Sequence, residues 1–290
     1  MGALMGIVLG LAAAITYGAA DFVGGLVSRR TNVLAVVLFS QLWGFALLLA
    51  ALPFFGAVVS GEDIAWGVAA GLAGAAGIVF LYRGLSLGRM TVVAPTTAVE
   101  AAAIPVIFGL AGGERPSAVA LAGVAVALAA VALVSSSPRG SPGDTSGQGG
   151  GEGRLPPGLP DALVAGLAFG LFFISLERTG SESGLWPLVA ARATAMVAVG
   201  ASGLLTRRSL RPSSGTIGSI ATAGGLDALA NILYLLASRQ ELLSLVAVLT
   251  SLYPASTVVL ARVVLRERLW RVQAGGLFLA GVGVALIGLG

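Results

Sequence analysis

Residues 244–271 read SLVAVLTSLYPASTVVLARVVLRERLWR, and this stretch decides how the rest of the chain is read. It is an apolar run of helix length, interrupted at Ser251, Leu252, Tyr253 and Pro254 and closed by Arg266, Glu267 and Arg268. A fainter copy, TVVAPTTAVEAAAIPVIFGLAGGERPS, occupies residues 91–117. The pairs Glu114-Arg115 and Glu267-Arg268 stand 153 positions apart, and each precedes another long apolar run. Upstream, Leu81-Tyr82 in FLYRGLS returns as Leu233-Tyr234 in ILYLLAS at a spacing of 152, so one residue has slipped between. The chain is two diverged copies of one hydrophobic unit.

The composition names the solvent. Of 290 residues, 57% are hydrophobic and 10% charged, with a mean hydropathy of +0.96. A soluble domain of this length needs far more charge to cover its surface, whereas apolar runs of about 20 residues span a bilayer as helices. The expected class is an all-α integral membrane protein, multi-pass, in the cell inner (plasma) membrane. Cysteine and histidine are both absent, which excludes disulfides, thiolate or imidazole metal sites and any Ser-His or Cys-His nucleophile. All 17 basic residues are arginine, so neither a P-loop lysine nor a Schiff base is possible. No cofactor is expected. The net charge of +4 does not mark a nucleic-acid binder: its densest group, Arg207, Arg208 and Arg211, flanks a helix end, where membrane orientation accounts for it.

Hydrophobic runs between short polar breaks predict spans at roughly 1–27, 33–58, 64–85, 91–112, 117–136, 160–179, 184–205, 215–237, 243–264 and 270–289. The first has no basic region before it and is longer than a signal-peptide core, so it reads as a retained helix. One break differs from the rest. Residues 135–159, SSSPRGSPGDTSGQGGGEGRLPPGL, cannot bury a core and read as a linker. The expected organisation is a first five-helix repeat over 1–136, a Gly/Ser/Pro-rich linker over 137–159 and a second repeat over 160–290. Arginine is concentrated in the odd-numbered loops: Arg29, Arg30, Arg89, Arg139, Arg154, Arg207, Arg208, Arg211, Arg266, Arg268 and Arg271 against Arg115, Arg178 and Arg239 in the even ones. That bias places the odd loops in the cytoplasm and both termini outside. Five spans per half is an odd number, so the halves should be inverted copies with a site at their shared interface. Glycines at 166 and 170, and at 71, 74 and 77, mark close helix packing.

The tail SLYPASTVVLARVVLRERL followed by QAGGLFLAGVGVAL resembles the end of an EamA-type transporter repeat, in the drug/metabolite transporter superfamily. The resemblance extends over nearly the whole chain, since both halves carry the apolar run, the Glu-Arg turn and a glycine-rich final helix. It implies ten membrane helices in two five-helix repeats and the export of small metabolites. In the first half the position opposite Pro254 is Ala101 and the nearest proline is Pro105, which leaves the place of that half's helix break open.

Charged and polar groups inside the hydrocarbon layer cost several kcal/mol unless they face a cavity or a partner. Asp21, Gln41 and Glu100 in the first half, and Glu177, Arg192, Asp227 and Asn231 in the second, are therefore candidates for a substrate or proton pathway. Asp227, Asn231, Tyr234 and Ser238 fall on one helical face. The matching first-half positions at a spacing of 152 are Ala75, Val79, Tyr82 and Ser86, so repeat symmetry does not demand an acid there. An interhelical hydrogen-bond cluster is the structural alternative. Asp21 follows Tyr17 by one turn, and aligning Gly10 with Gly166 sets Asp21 opposite Glu177. Glu100 follows Thr96 and Thr97 and precedes Pro105. Arg192 could neutralise Glu177 or another acid, or receive an anionic substrate group. The function expected is a secondary transporter moving a small organic metabolite or amphipathic compound by alternating access, as an exporter, with protons the better-fitting coupling ion. A flippase for a lipid or lipid-linked sugar shares the fold class. A membrane-embedded enzyme would need a clustered acid/base or metal set, and none is visible. The expected partners are the small solute and the bilayer, with no nucleic acid; the oligomeric state stays open, a monomer included.

Overall fold

A computed structural model describes residues 2–87, 90–134, 158–264 and 271–289. The Glu267-Arg268 turn, Arg89 and almost all of the 137–159 linker lie outside the described residues. Eleven helices are present among the described residues: α1 (Gly2–Ser28), α2 (Val33–Ala51), α3 (Gly61–Leu87), α4 (Met90–Ala111), α5 (Ala118–Val134), α6 (Leu159–Glu177), α7 (Trp186–Leu205), α8 (Ile217–Ser238), α9 (Leu243–Thr250), α10 (Tyr253–Val264) and α11 (Arg271–Leu289). Six segments, those of α1, α2, α3, α6, α7 and α8, are long and apolar enough to cross a bilayer. Shorter apolar helices lie at Thr96–Ala111, Ala118–Leu133, Leu243–Thr257 and Ala274–Ile287. The chain is an all-helical, multi-pass membrane protein.

Two boundaries differ from the expected ones for a proline reason. The run expected over 33–58 leaves the α-helix at Ala51 and ends in a 3-10 turn, Leu52–Phe54, because Pro53 lacks an N–H and its ring opposes the carbonyl one turn back. In the run 243–264, α9 stops at Thr250 and α10 restarts at Tyr253, placing Pro254 in a first turn, where its missing N–H costs nothing. The first half has no equivalent break: α4 runs unbroken through Pro105. Proline there still removes the donor for the carbonyl of Ala101.

The contacts between helices follow a two-fold exchange of the halves. α1 packs on α8 as α6 packs on α3; α4 meets α6 as α9 and α10 meet α1; α3 meets α7 as α8 meets α2. The remaining large pairs, α5 with α11, α2 with α7 and α4 with α9, exchange into themselves. The described loops gather at two ends. At one, the Val58 N–H donates to the Glu182 carbonyl at 2.9 Å, the Gly180 N–H to Asp63 Oδ1 at 2.7 Å and Arg239 to Ser183 Oγ at 2.9 Å, while Gly6 of α1 abuts Glu241. At the other, the Ser213 N–H donates to Thr31 Oγ1 at 3.0 Å and Arg83 pairs with Asp161 at 3.3 Å. α1 thus begins at the first end and α6 at the second.

Glycine sets the spacing of these seams. A Cβ on Gly166 would lie 2.6 Å from Glu100 Cβ, and one on Gly170 would lie 2.8 Å from Ile104 Cβ, so the two glycines of α6 receive two α4 side chains one turn apart. On α3, Gly74 and Gly77 receive Phe172 and Phe169 in the same way.

Candidate functional site

A cavity lies where both halves meet, at mid-length of most helices that line it. Its walls differ. Tyr17 and Asp21 of α1 and Asp227 and Asn231 of α8 make a polar wall; Phe169, Phe172 and Phe173 of α6, over the small residues of α3, make an aromatic one. Gln41 of α2 and Arg192 of α7 lie between the walls.

The polar groups form one chain of hydrogen bonds. Arg192 donates to Gln41 Oε1 through one nitrogen and to Asp227 Oδ2 through another. Asn231 Nδ2 donates to the Asp227 carbonyl at 2.7 Å and to its carboxylate at 3.3 Å, and the Tyr17 hydroxyl donates to Asn231 Oδ1 at 2.8 Å. Four helices, α1, α2, α7 and α8, are joined this way. Only 5% of the Arg192 side chain and 19% of Asp227 are exposed, so each ion compensates the other where water has little access. Gly44 makes room for the guanidinium, since a Cβ there would lie 3.0 Å from Arg192 Cζ.

The repeat explains where these residues sit. The Ser40 carbonyl lies against Gly224 and the Ala191 carbonyl against Gly71, so α2 and α7 correspond with Gln41 opposite Arg192. The same match sets Asp227 and Asn231 opposite Gly74 and Ile78. Gly18 abuts Ser256 and the Tyr253 carbonyl, just as Gly166 abuts Glu100 and the Thr97 carbonyl, which sets Asp21 opposite Phe169. The two walls are therefore symmetry-related surfaces whose chemistry has diverged. Asp21 and Glu177 are not mates: the sequence alignment on Gly10 is displaced by about two helical turns.

Of the residues singled out in the sequence, Tyr17, Asp21, Gln41, Arg192, Asp227 and Asn231 come together on the cavity. Four do not line it. Tyr234 is fully buried behind the aromatic wall, its ring 4.4 Å from that of Phe173. Ser238, next on that face, bonds back to the Leu235 carbonyl at 3.0 Å. Glu177 is the last residue of α6, beside Arg178 at 3.8 Å, and Arg178 in turn lies over the Phe108 ring at 4.9 Å. Glu100 packs between α4 and α6, with Oε2 buried and without a hydrogen-bond partner among the described residues. The sequence reading missed the aromatic wall, although Phe169, Phe172 and Phe173 at positions i, i+3 and i+4 opposite the α3 glycines were a legible signal. Tyr253 also lines the cavity; its hydroxyl is buried and makes no hydrogen bond among the described residues. Among the described residues no group of three or more acidic side chains could hold a metal ion.

An all-helical membrane protein with a polar and aromatic cavity between two copies of one unit defines the class. The sequence model of the EamA-like transporter family matches residues 4–136 and 157–289, and the chain belongs to that family. It is a family of transporters and not of enzymes. Among 27 solved chains that match, one titled only as the crystal structure of a protein superposes with a TM-score of 0.72 over 97% of this chain and 95% of its own, at 18% identity. That likeness speaks for the fold alone. No curated protein matches the chain.

Proposed function

We propose that the protein is a secondary transporter that exports a small organic metabolite or amphipathic compound across the cell inner membrane by alternating access, with ten crossings arranged as two inverted five-helix repeats. The observation that carries this reading is the cavity between the halves, lined by Asp21, Asp227 and Arg192 at the depth where ionised groups are most costly. The inversion is supported by the loops gathering alternately at two ends and by the opposite starts of α1 and α6. Protons are the coupling ion that fits, because Asp21 is a carboxylate on the cavity that forms no hydrogen bond or ion pair among the described residues. The test is uptake of a panel of small amines, amino acids and aromatic metabolites into proteoliposomes, with and without a pH gradient. Accumulation that responds to the gradient and is lost in Asp21→Asn is expected. Gradient-independent transport removes proton coupling, and the absence of flux for the whole panel counts against the transporter.

A further inference from the structure

The charges on the cavity do not balance, and the imbalance has a sign. The charge of Arg192 is compensated by Asp227, and it also donates to Gln41, so it presents no uncompensated cation to an incoming anion. Asp227 is held by Arg192 and Asn231. Asp21 remains. It lines the same cavity, forms no hydrogen bond or ion pair among the described residues, and has Phe169 as its repeat mate on the opposite wall. A carboxylate lining the same cavity as three phenylalanines is the chemistry that holds an ammonium group attached to an aromatic body.

Accepting the transporter reading, we infer that the ligand class of this cavity is a small organic cation with an aromatic or apolar body, its charged nitrogen at Asp21 and its body against Phe169, Phe172 and Phe173. Arg192 with Asp227 acts as an internally neutral bridge between the halves and not as an anion receptor. Carboxylates of the same shape are disfavoured, because they would face Asp21 and find Arg192 already occupied.

Three probes of one shape separate the possibilities: 4-phenylbutylamine, 4-phenylbutanol and 4-phenylbutyrate. Binding is measured by equilibrium dialysis against the full chain in nanodiscs, with empty nanodiscs subtracted for partition into lipid. The amine should bind at least about tenfold more tightly than the alcohol and the acid. Asp21→Asn should bring the amine to the level of the alcohol, and Asp21→Glu should keep the preference, with both variants eluting as the native protein on size exclusion. Equal binding of all three probes, preference for the acid, no binding of any probe, or an amine preference that survives Asp21→Asn each overturns the inference. The same probes in proteoliposomes keep the two readings apart. Flux of the acid and not the amine overturns the cation assignment and leaves transport standing. Amine binding that needs Asp21 but is never followed by flux supports the cation site and counts against transport alone.

Discussion

Asp227 and Arg192 are not independent targets, because each is the other's counter-ion and both are largely buried. Replacing Asp227 by Asn keeps its shape and leaves the Arg192 guanidinium uncompensated, a change that costs about 3–5 kcal/mol when one partner of a buried pair is removed. The double variant Arg192→Gln/Asp227→Asn removes both charges and should recover most of that stability. Thermal unfolding of the four proteins in detergent checks this, and simple addition of the two single effects would show the pair to be uncoupled. A loss of transport in Asp227→Asn alone is thus no proof of a direct role, whereas Asp21→Asn removes a charge on which no described side chain relies.

At the scale of elements, the short helix α9 shows how one half holds the other. Leu242, at its N-cap, supplies no capping side chain. The Leu243 and Ser244 N–H groups donate instead to the Glu114 carboxylate, at 2.9 and 3.2 Å. Glu114 comes from the turn after α4, so the Glu-Arg signature of the sequence acts here as a helix cap delivered from the opposite repeat. Its negative charge also opposes the positive end of the helix dipole. Glu114→Ala should lower stability by about 1–2 kcal/mol. Hydrogen exchange should accelerate at 243–246 first; protection unchanged there would deny the cap. α9 leads through the break at Ser251 and Leu252 into Tyr253 on the cavity wall, so a loosened α9 should also weaken substrate binding.

For the whole molecule, alternating access requires the two ends to open in turn, and each end has a contact that must part. Val58 meets Glu182 at one end and Thr31 meets Ser213 at the other. The chain has no cysteine, so paired cysteines at either position form a single defined cross-link. Oxidising the Val58→Cys/Glu182→Cys pair, or the Thr31→Cys/Ser213→Cys pair, should stop transport, and reduction should restore it. Undiminished transport with both ends cross-linked would exclude this rocking motion. The arginine bias adds a direction: Ser146→Cys should resist an impermeant thiol reagent in intact cells and react after lysis. Labelling in intact cells would reverse the orientation and leave the fold as it is.

Class, repeat and family were legible in the sequence, because each rests on a local property: run length against bilayer thickness, and recurrence of the same short pattern. So were six of the cavity's residues, since a polar group in an apolar helix is conspicuous wherever it points. What the residue pattern leaves undecided is which of those groups meet. Asp227, Asn231 and Tyr234 share one face of α8, yet two line the cavity and the third is sealed behind Phe173, because a face is divided among neighbours by packing and not by period. Glu100 and Glu177 have the same composition signal as Asp21, but the contact with Gly166 puts Glu100 in a helix seam and the end of α6 falls at Glu177. The Arg192–Asp227 pair joins helices 35 positions apart, and Gln41 reaches it from the other half. Only the tertiary structure decided that the deep arginine is spoken for and that Asp21 is not, since charge compensation is a property of distances that no stretch of the chain contains.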